Sequence, residues 1–260
     1  MKILHCCDTI SVGGGIASFV NNLSLEQSVQ HDVTVGVISY KENENRLYFP
    51  DNIEIVDFKK TTQGFSLIYP LKVFWYLLRH RYDVVHIHSS FLYYLLPILF
   101  LNSRIKFIYT IHSDAEKENH SIWDKRFWKL KKWCFNRNLI IPVTISPNSK
   151  KSFDHLYQMN SSMVVNGIKP INRKRVTHVL DQFKLSDNTK LFLHAGRITE
   201  AKNQVVLCEA MSQLIEEGHD VVLVIAGVIQ DVEIYKDIEN FIGNRIHYIG
   251  ERNDVGDLLK

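Results

Sequence analysis

The chain has 260 residues, 45% hydrophobic and 23% charged, with a formal net charge of +3. That balance is ordinary for a soluble α/β protein, and the charge is too small to argue for a nucleic-acid partner. The longest apolar run, Phe91 to Leu101, falls well short of the roughly 20 residues that span a bilayer.

The N-terminal apolar run is too short for a signal peptide. Cys6, Cys7, Cys134 and Cys208 show neither a Cys-x-x-Cys pair nor a metal-ligand spacing, so a reduced, cytosolic chain is expected. Lys2 to Cys7 reads as a buried first strand. It is followed by Ser11-Val-Gly-Gly-Gly-Ile-Ala-Ser18 and an apolar helix around Phe19, Val20 and Leu23. Glycines at this place let the backbone approach a ligand and expose N–H groups at a helix N-terminus. A tight strand-to-helix turn with no ligand is the other reading. The loop lacks the Gly-Lys-Ser/Thr of a P-loop. It also lacks the third glycine of the dinucleotide fingerprint, because Ser18 stands there, and the second strand, Asp32 to Ser39, closes on no acid. NAD binding is disfavoured.

Ile53 to Phe58 alternates as a strand, and Leu67 to Arg81 reads as an amphipathic helix carrying Leu71, Phe74, Trp75 and Leu78. Asp83-Val-Val-His-Ile-His-Ser-Ser90 is the next strand, with an apolar helix behind it through Leu101, and His86 reads as a core residue. Ile105 to Ile111 follows and closes on Thr110-Ile-His-Ser-Asp114. A strand ending this way places the His112 imidazole at the sheet edge that carries the glycine loop. There it can bond a substrate hydroxyl or a developing charge, or be satisfied by local carbonyls.

Trp123 to Arg137 holds six cations, one acid and five aromatics. Trp123, Phe127, Leu130 and Cys134 share one helical face, with Lys125, Lys129 and Lys132 off it. Such a helix can rest on an anionic membrane surface, or pack its aromatics on the sheet with its lysines solvated. No RNA-binding motif accompanies it, so nucleic acid is not expected. Leu139 to Ser146 is a strand, Lys150 to Tyr157 a helical turn or two, and Met163 to Ile168 a last short strand with an Asn-Gly turn. The basic stretch Lys169 to Arg175 reads as a connector.

A second α/β run begins near Leu191. Its strand ends in Gly196, and Arg197 and Lys202 follow before a helix that stops at Gly218, a C-cap signal. Two cations at the carboxyl end of a strand and the start of a helix suit an anion with several oxygens. A loop with two solvated cations is the other reading. Strand Val221 to Ala226, a helix around Ile234 to Phe241, strand Ile246 to Ile249 and a helix from Asp254 to Lys260 complete the chain.

The glycine loop, Asp-Val-Val-His-Ile-His, Thr-Ile-His-Ser-Asp, Ile-Ser-Pro-Asn-Ser, Val-Asn-Gly-Ile and Gly-Arg-x4-Lys-Asn occur in this order along nearly the whole chain. Together they resemble the GT-B glycosyltransferases of family 4. The resemblance implies a retaining transferase with two Rossmann-like domains facing across a cleft. Its acceptor would be a glycan or lipid-linked sugar on the first domain, and its nucleotide-sugar donor would lie on the second. Arg197 and Lys202 would hold the donor diphosphate, Gly14 and Gly15 would lie against its phosphate or sugar, and His112 would contact the transferred sugar. Asn166 and Gly167 would shape the cleft. No Asp-x-Asp occurs, so no metal and no cofactor is implied.

On this reading residues 1–168 form a complete Rossmann-like domain, 169–185 a connector, and 186–260 the first part of a second such domain. The family's Glu-x7-Glu element, which the resemblance places beyond the last strand, is not found there, and Glu200, Glu209 and Glu216 do not stand in its place. The resemblance, with the basic helix, leads to the expectation of a transferase of capsule, exopolysaccharide or O-antigen assembly at the cytoplasmic face of the membrane. The alternative is a truncated, catalytically incompetent binding protein, or one completed by a partner chain. A sugar-nucleotide epimerase would need paired acids that this chain does not show.

Overall fold

The computed structural model describes every residue except 13, 40–45, 61–65, 67, 102–103, 119–121, 168–179, 253 and 259–260. The expected boundary residue Ile168 and the basic connector Lys169 to Arg175 lie outside the described residues. The chain divides into two compact units, Met1–Ile168 and Lys169–Lys260.

In the first unit the elements are β1 (Lys2–Cys7), α1 (Gly15–Gln27), β2 (Asp32–Ser39), β3 (Glu54–Lys60), α2 (Ile68–Arg79) and β4 (Val84–His88). After them come α3 (Leu92–Leu99), β5 (Lys106–Ile111), α4 (Ala115–Glu118), α5 (Ile122–Asn136), β6 (Ile141–Thr144), α6 (Pro147–Tyr157) and β7 (Ser162–Met163). The seven strands make one parallel sheet in the order β3-β2-β1-β4-β5-β6-β7. Helices cover both faces, as parallel sheets require. Leu4, Cys6, Val85, Ile87 and Tyr109 pack with α2, α3, α5 and α6 on one side. On the other, Cys7, Val33, Val35 and Val37 meet Val20 of α1. β1 is buried from Ile3 to Cys7, and His5 is the polar interruption in it. A buried imidazole there needs hydrogen-bond partners.

Several elements differ from the sequence reading, most by a residue or two at their ends, and three differences bear on packing. α2 turns Tyr69, Val73 and Leu77 to the core, and leaves Leu71, Trp75 and Leu78 exposed. α6 starts at Pro147, not Lys150, because the Ser146 hydroxyl accepts from the Ser149 N–H and proline fits the first helical position. β7 is only two residues long. Past Met163, among the described residues, the only bond carried to β6 is the Val164 N–H to the Thr144 carbonyl, and Val164 and Val165 lie exposed. In α5, Cys134 of the expected face is buried and Phe127 and Leu130 are half-buried, with Phe135 buried beside them; the Trp123 side chain lies outside the described residues. Lys131 is buried as well, with its ammonium 5.3 Å from the Tyr93 ring centre and 5.8 Å from that of Tyr109. It is a cation–π residue, not a solvated lysine. No helix among the described residues is long and apolar enough to cross a membrane.

The second unit contains β8 (Lys190–Ala195), α7 (Gln204–Glu216), β9 (Val221–Ala226), α8 (Val232–Glu239), β10 (Ile246–Tyr248) and α9 (Val255–Leu258). Its three strands are parallel in the order β10-β9-β8. β9 is central and buried at every residue, which its run Val-Val-Leu-Val-Ile-Ala dictates. Cys208 and Met211 of α7 and Ile238 of α8 close over Val221, Leu223 and Ile225. α7 ends at Gly218, whose φ of +86° is the left-handed turn that glycine takes without strain. The Asp231 carboxylate caps α8 by accepting from the Glu233 and Ile234 N–H groups. All four cysteines are free and buried. Burial pushes the Cys134 and Cys208 thiols up to about 11 and those of Cys6 and Cys7 higher still.

Candidate functional site

In the first sheet the strand order reverses beside β1: β2 and β3 extend to one side, β4 to β7 to the other. Open parallel sheets bind ligands at the carboxyl ends of the strands flanking such a point. Here those ends belong to β1 and β4, and the Ser90 hydroxyl donates to Asp8 across them at 2.8 Å. Gly14 and Gly15 follow β1 and open α1. Gly14 has an extended backbone (φ −84°). A Cβ there would press on the Ala17 Cβ at 3.3 Å, whereas one on Gly15 would meet nothing within 4 Å. Space, not an unusual backbone, is what Gly15 provides.

His112 stands one residue beyond β5. Its Nε2 lies 2.9 Å from Nδ1 of His88, and Phe19 of α1 packs edge-on against both rings, at 4.9 Å and 5.7 Å. The structure therefore brings His112 and the helix opened by Gly15 to the same edge. The loop after β5 is tied down by the Ser149 hydroxyl, which donates to the Ser113 carbonyl. Sequence reasoning missed the depth of the histidine cluster. His5 and His86 are partners in register on β1 and β4, and His88 follows two positions on, on the same face. Each of these three offers a ring nitrogen within 4.8 Å of the others, a spacing that could hold a metal ion. His86 also bonds the Thr110 hydroxyl at 2.7 Å.

Burial lowers His5 and His112 to about 4, with the Gln27 bond opposing the shift at His5. Burial, then the neighbouring imidazoles, lowers His86 and His88 well below the usual histidine range. All four are neutral at pH 7. His112 there acts as a hydrogen-bonding ring, not as a cation. A histidine held neutral by folding binds a proton more readily in the unfolded chain. Its contribution to stability is whole above about pH 6.5 and is lost as pH falls toward the folded value, by up to about 1.4 kcal/mol per pH unit for each such group. The denaturant midpoint is thus expected to hold from pH 8 to 7 and to drop steeply between pH 6.5 and 4. A midpoint unchanged at pH 5 would contradict the neutral cluster.

Asn166 and Gly167 lie exposed beyond β7. No described contact brings them to His112 or to the glycine loop. A Cβ on Gly167 would meet nothing within 4 Å.

In the second unit the Lys202 stem lies against Gly196, the residue before Arg197. The chain leaves β8 through Gly196, whose N–H donates to the Ala226 carbonyl at 2.8 Å, and Ile198 bonds Val228 in the same way. Lys202 ends a single 3-10 turn, Glu200–Lys202. Asn203, in the left-handed region at φ 56°, then starts α7. That reversal folds the lysine stem back over Gly196, with Cδ and Cε 3.9 and 4.0 Å from where a Cβ would sit. Both side chains are exposed, and neither meets a carboxylate among the described residues. The buried Gln204 amide donates to the Arg197 carbonyl at 2.8 Å and fixes the loop. Burial, with the Lys202 charge adding to it, lowers His194 nearby.

Gly227 was not singled out from the sequence. Its N–H bonds the Gly250 carbonyl, and its own carbonyl accepts from Tyr248. A Cβ on it would fall within the Gly196 carbonyl and 3.3 Å from the Arg197 nitrogen. It lets the two loops run side by side beneath the cations.

Residues 13–170 match the model of Glycosyltransferase Family 4, and residues 178–260 match that of Glycosyl transferases group 1. A curated relative, an uncharacterized 41.2 kDa protein in the cps region of Klebsiella pneumoniae, is 22% identical over 97% of this chain. The chain spans 66% of that relative, just under two thirds. Sucrose-phosphate synthase from Thermosynechococcus elongatus is a similar solved structure, with a TM-score of 0.73, 13% identity, and coverage of 100% of this chain and 72% of its own. Another is a mutant of TarM from S. aureus, solved with fondaparinux, α-GlcNAc-glycerol and UDP. Its TM-score is 0.68 at 13% identity, over 98% of this chain and 79% of its own. At these identities the likeness shows the fold, which is GT-B.

Proposed function

The chain belongs to glycosyltransferase family 4, and we propose that it moves a sugar from a nucleotide-sugar donor to a glycan or lipid-linked acceptor. One observation carries the donor reading: Lys202 is folded over Gly196 beside Arg197, at the start of α7, and no described carboxylate meets either cation. Two cations and a helix N-terminus oppose the charge that grows on a departing diphosphate, the role a metal ion plays in other transferases. Arg197 takes two oxygens with its fork, and Lys202 adds a point charge. In the first unit, Gly14 and Gly15 leave room for the donor phosphate or sugar, and His112 offers a neutral hydrogen-bonding ring to a sugar hydroxyl. Asn166 and Gly167, exposed beyond β7, contribute to the substrate site on this reading. Transfer proceeds with retention of anomeric configuration.

The cps-region relative supports a setting in capsule or related polysaccharide assembly. UDP and a glycan-type ligand in the TarM structure support the substrate classes. The reading is tested by calorimetric titration with UDP-glucose, UDP-GlcNAc, GDP-mannose, UDP and GDP, followed by a transfer assay with the best donor. Binding without turnover would favour a protein that holds the nucleotide sugar without transferring it, or one that needs a partner chain. Absence of binding in a folded sample would remove the donor site.

We place peripheral contact with the cytoplasmic membrane surface on the helix within residues 123–137. Its exposed Lys129 and Trp133 support this, with Lys132 beside them. A basic residue near an anionic surface is worth about 1 kcal/mol. Lys129→Glu with Lys132→Glu is therefore expected to lower sedimentation with phosphatidylserine vesicles by about tenfold or more. Lys131 is left intact because it is buried. Wild type that fails to sediment would end the membrane reading.

A further inference from the structure

Four side chains lie in one hydrogen-bonded line across β1, β4 and the end of β5. Gln27 Oε1 is 2.7 Å from His5 Nε2. His5 Nδ1 is 3.3 Å from His88 Nε2, and His88 Nδ1 is 2.9 Å from His112 Nε2. A neutral imidazole has one N–H donor and one acceptor nitrogen. His5 and His88 use both nitrogens in the line, so each donates at one end and accepts at the other. All three bonds must then run in the same direction.

That direction is decided at the end that is not a histidine. Gln27 presents its carbonyl oxygen, which only accepts. His5 therefore carries its proton on Nε2, which leaves Nδ1 to accept. His88 must donate from Nε2, and His112 must donate from Nε2 in turn. The Nδ1 of His112 bears a lone pair as a result. With the Gln27 amide reversed, every ring would reverse and His112 would carry its proton on Nδ1. We propose that Gln27, at the last residue of α1, is a positioning residue that sets the tautomer of His112 through His5 and His88.

The consequence for chemistry rests on the reading of His112 as the sugar contact. A ring with its lone pair on Nδ1 accepts a hydroxyl proton there, whereas the reversed ring donates. His86 takes no place in the line. It packs on His88 with ring centres 4.2 Å apart and is held by Thr110. It does complete the three-nitrogen group that could hold a metal. A metal bound to His5 Nδ1 and His88 Nε2 would displace the proton between them, so a metal and the proton line exclude one another.

The test is nuclear magnetic resonance of the uniformly 15N-labelled chain at neutral pH, reading each ring nitrogen and the nitrogen–nitrogen coupling across each hydrogen bond. The wild type is expected to show protonated Nε2 on His5, His88 and His112, with couplings from His88 Nε2 to His5 Nδ1 and from His112 Nε2 to His88 Nδ1. Gln27→Glu, whose carboxylate also only accepts, should keep that order. Gln27→Leu should shift both His112 ring nitrogens toward averaged positions, although of the three histidines in the line Gln27 bonds His5 alone. A protonated Nδ1 on His112 in the wild type, or unchanged His88 and His112 signals in Gln27→Leu, would overturn the proposal. Stoichiometric zinc uptake that removes the His5–His88 proton would overturn it too. No substrate enters the experiment, so failure of sugar transfer and failure of the proton order are read separately.

Discussion

Arg197→Ala is expected to weaken binding of a nucleoside diphosphate about 10- to 100-fold, the loss of one charge-assisted contact worth roughly 1.5–3 kcal/mol. The exposed guanidinium stands between two anchored points, with its carbonyl held by Gln204 and Ile198 bonded to Val228. Losing it removes the fork without loosening the loop. Arg197→Lys should recover only part of the affinity, because the charge returns without the paired donors. Lys202→Ala should weaken binding by less, as one point charge is lost from an exposed place. Binding of both variants should also fall with added salt less steeply than that of the wild type. Titration of each folded variant with UDP and GDP decides the matter. Affinities equal to wild type in both would remove these residues from the donor site.

Gly227→Ala is expected to do more damage than either. The new methyl would overlap the Gly196 carbonyl, and neither backbone can easily move away. Gly196 is bonded to Ala226, and Gly227 is held at its N–H by Gly250 and at its carbonyl by Tyr248. Relief would mean breaking at least one of these bonds and displacing the Arg197 loop. A cost on the order of 4 kcal/mol is expected for such a backbone overlap in a packed unit, with nucleotide binding lost as well. Gly243→Ala is the control. A Cβ there meets nothing within 4 Å, so its effect should stay within about 0.5 kcal/mol. Denaturant unfolding followed by a probe in the second unit reads both. A Gly227→Ala chain as stable as wild type would show that the two loops do not meet.

Strands that the apolar runs mark, such as β1, β2 and β9, were legible residue by residue, and β5 to within one residue. α2 was legible as a helix but not in its orientation. It carries two apolar stripes, Tyr69–Val73–Leu77 and Leu71–Trp75–Leu78, and periodicity cannot choose between them. The Ser146-Pro147 pair carries the signal for the start of α6, but the apolar run before it reads through to Ser146 as strand and hides that signal.

For the candidate site, the places of His112, the glycine loop, Arg197 and Lys202 at the ends of strands were legible, because glycine, imidazole or cations stand just beyond apolar runs. The line from Gln27 to His112 was not. His5 and His88 are separated by 83 positions, and they meet only because β4 lies beside β1, a lateral order that spacing along the chain does not encode. The need for glycine at 227 was hidden for the same reason, since it comes from the approach of Gly196.

The four buried cysteines also make the chain its own clock for partial opening. Thiolates, not thiols, react with alkylating reagents, and each of these sulfurs is both shielded and held protonated. Labelling must wait for the surrounding structure to open. Cys6, Cys7 and Cys134 belong to the first unit and Cys208 to the second. A species labelled at Cys208 alone has opened at α7, while one labelled at Cys6, Cys7 and Cys134 has opened around the first sheet. Peptide mapping of the labels during mild denaturation can therefore tell which half of the chain lets go first, and whether a bound nucleotide slows only the labelling of Cys208.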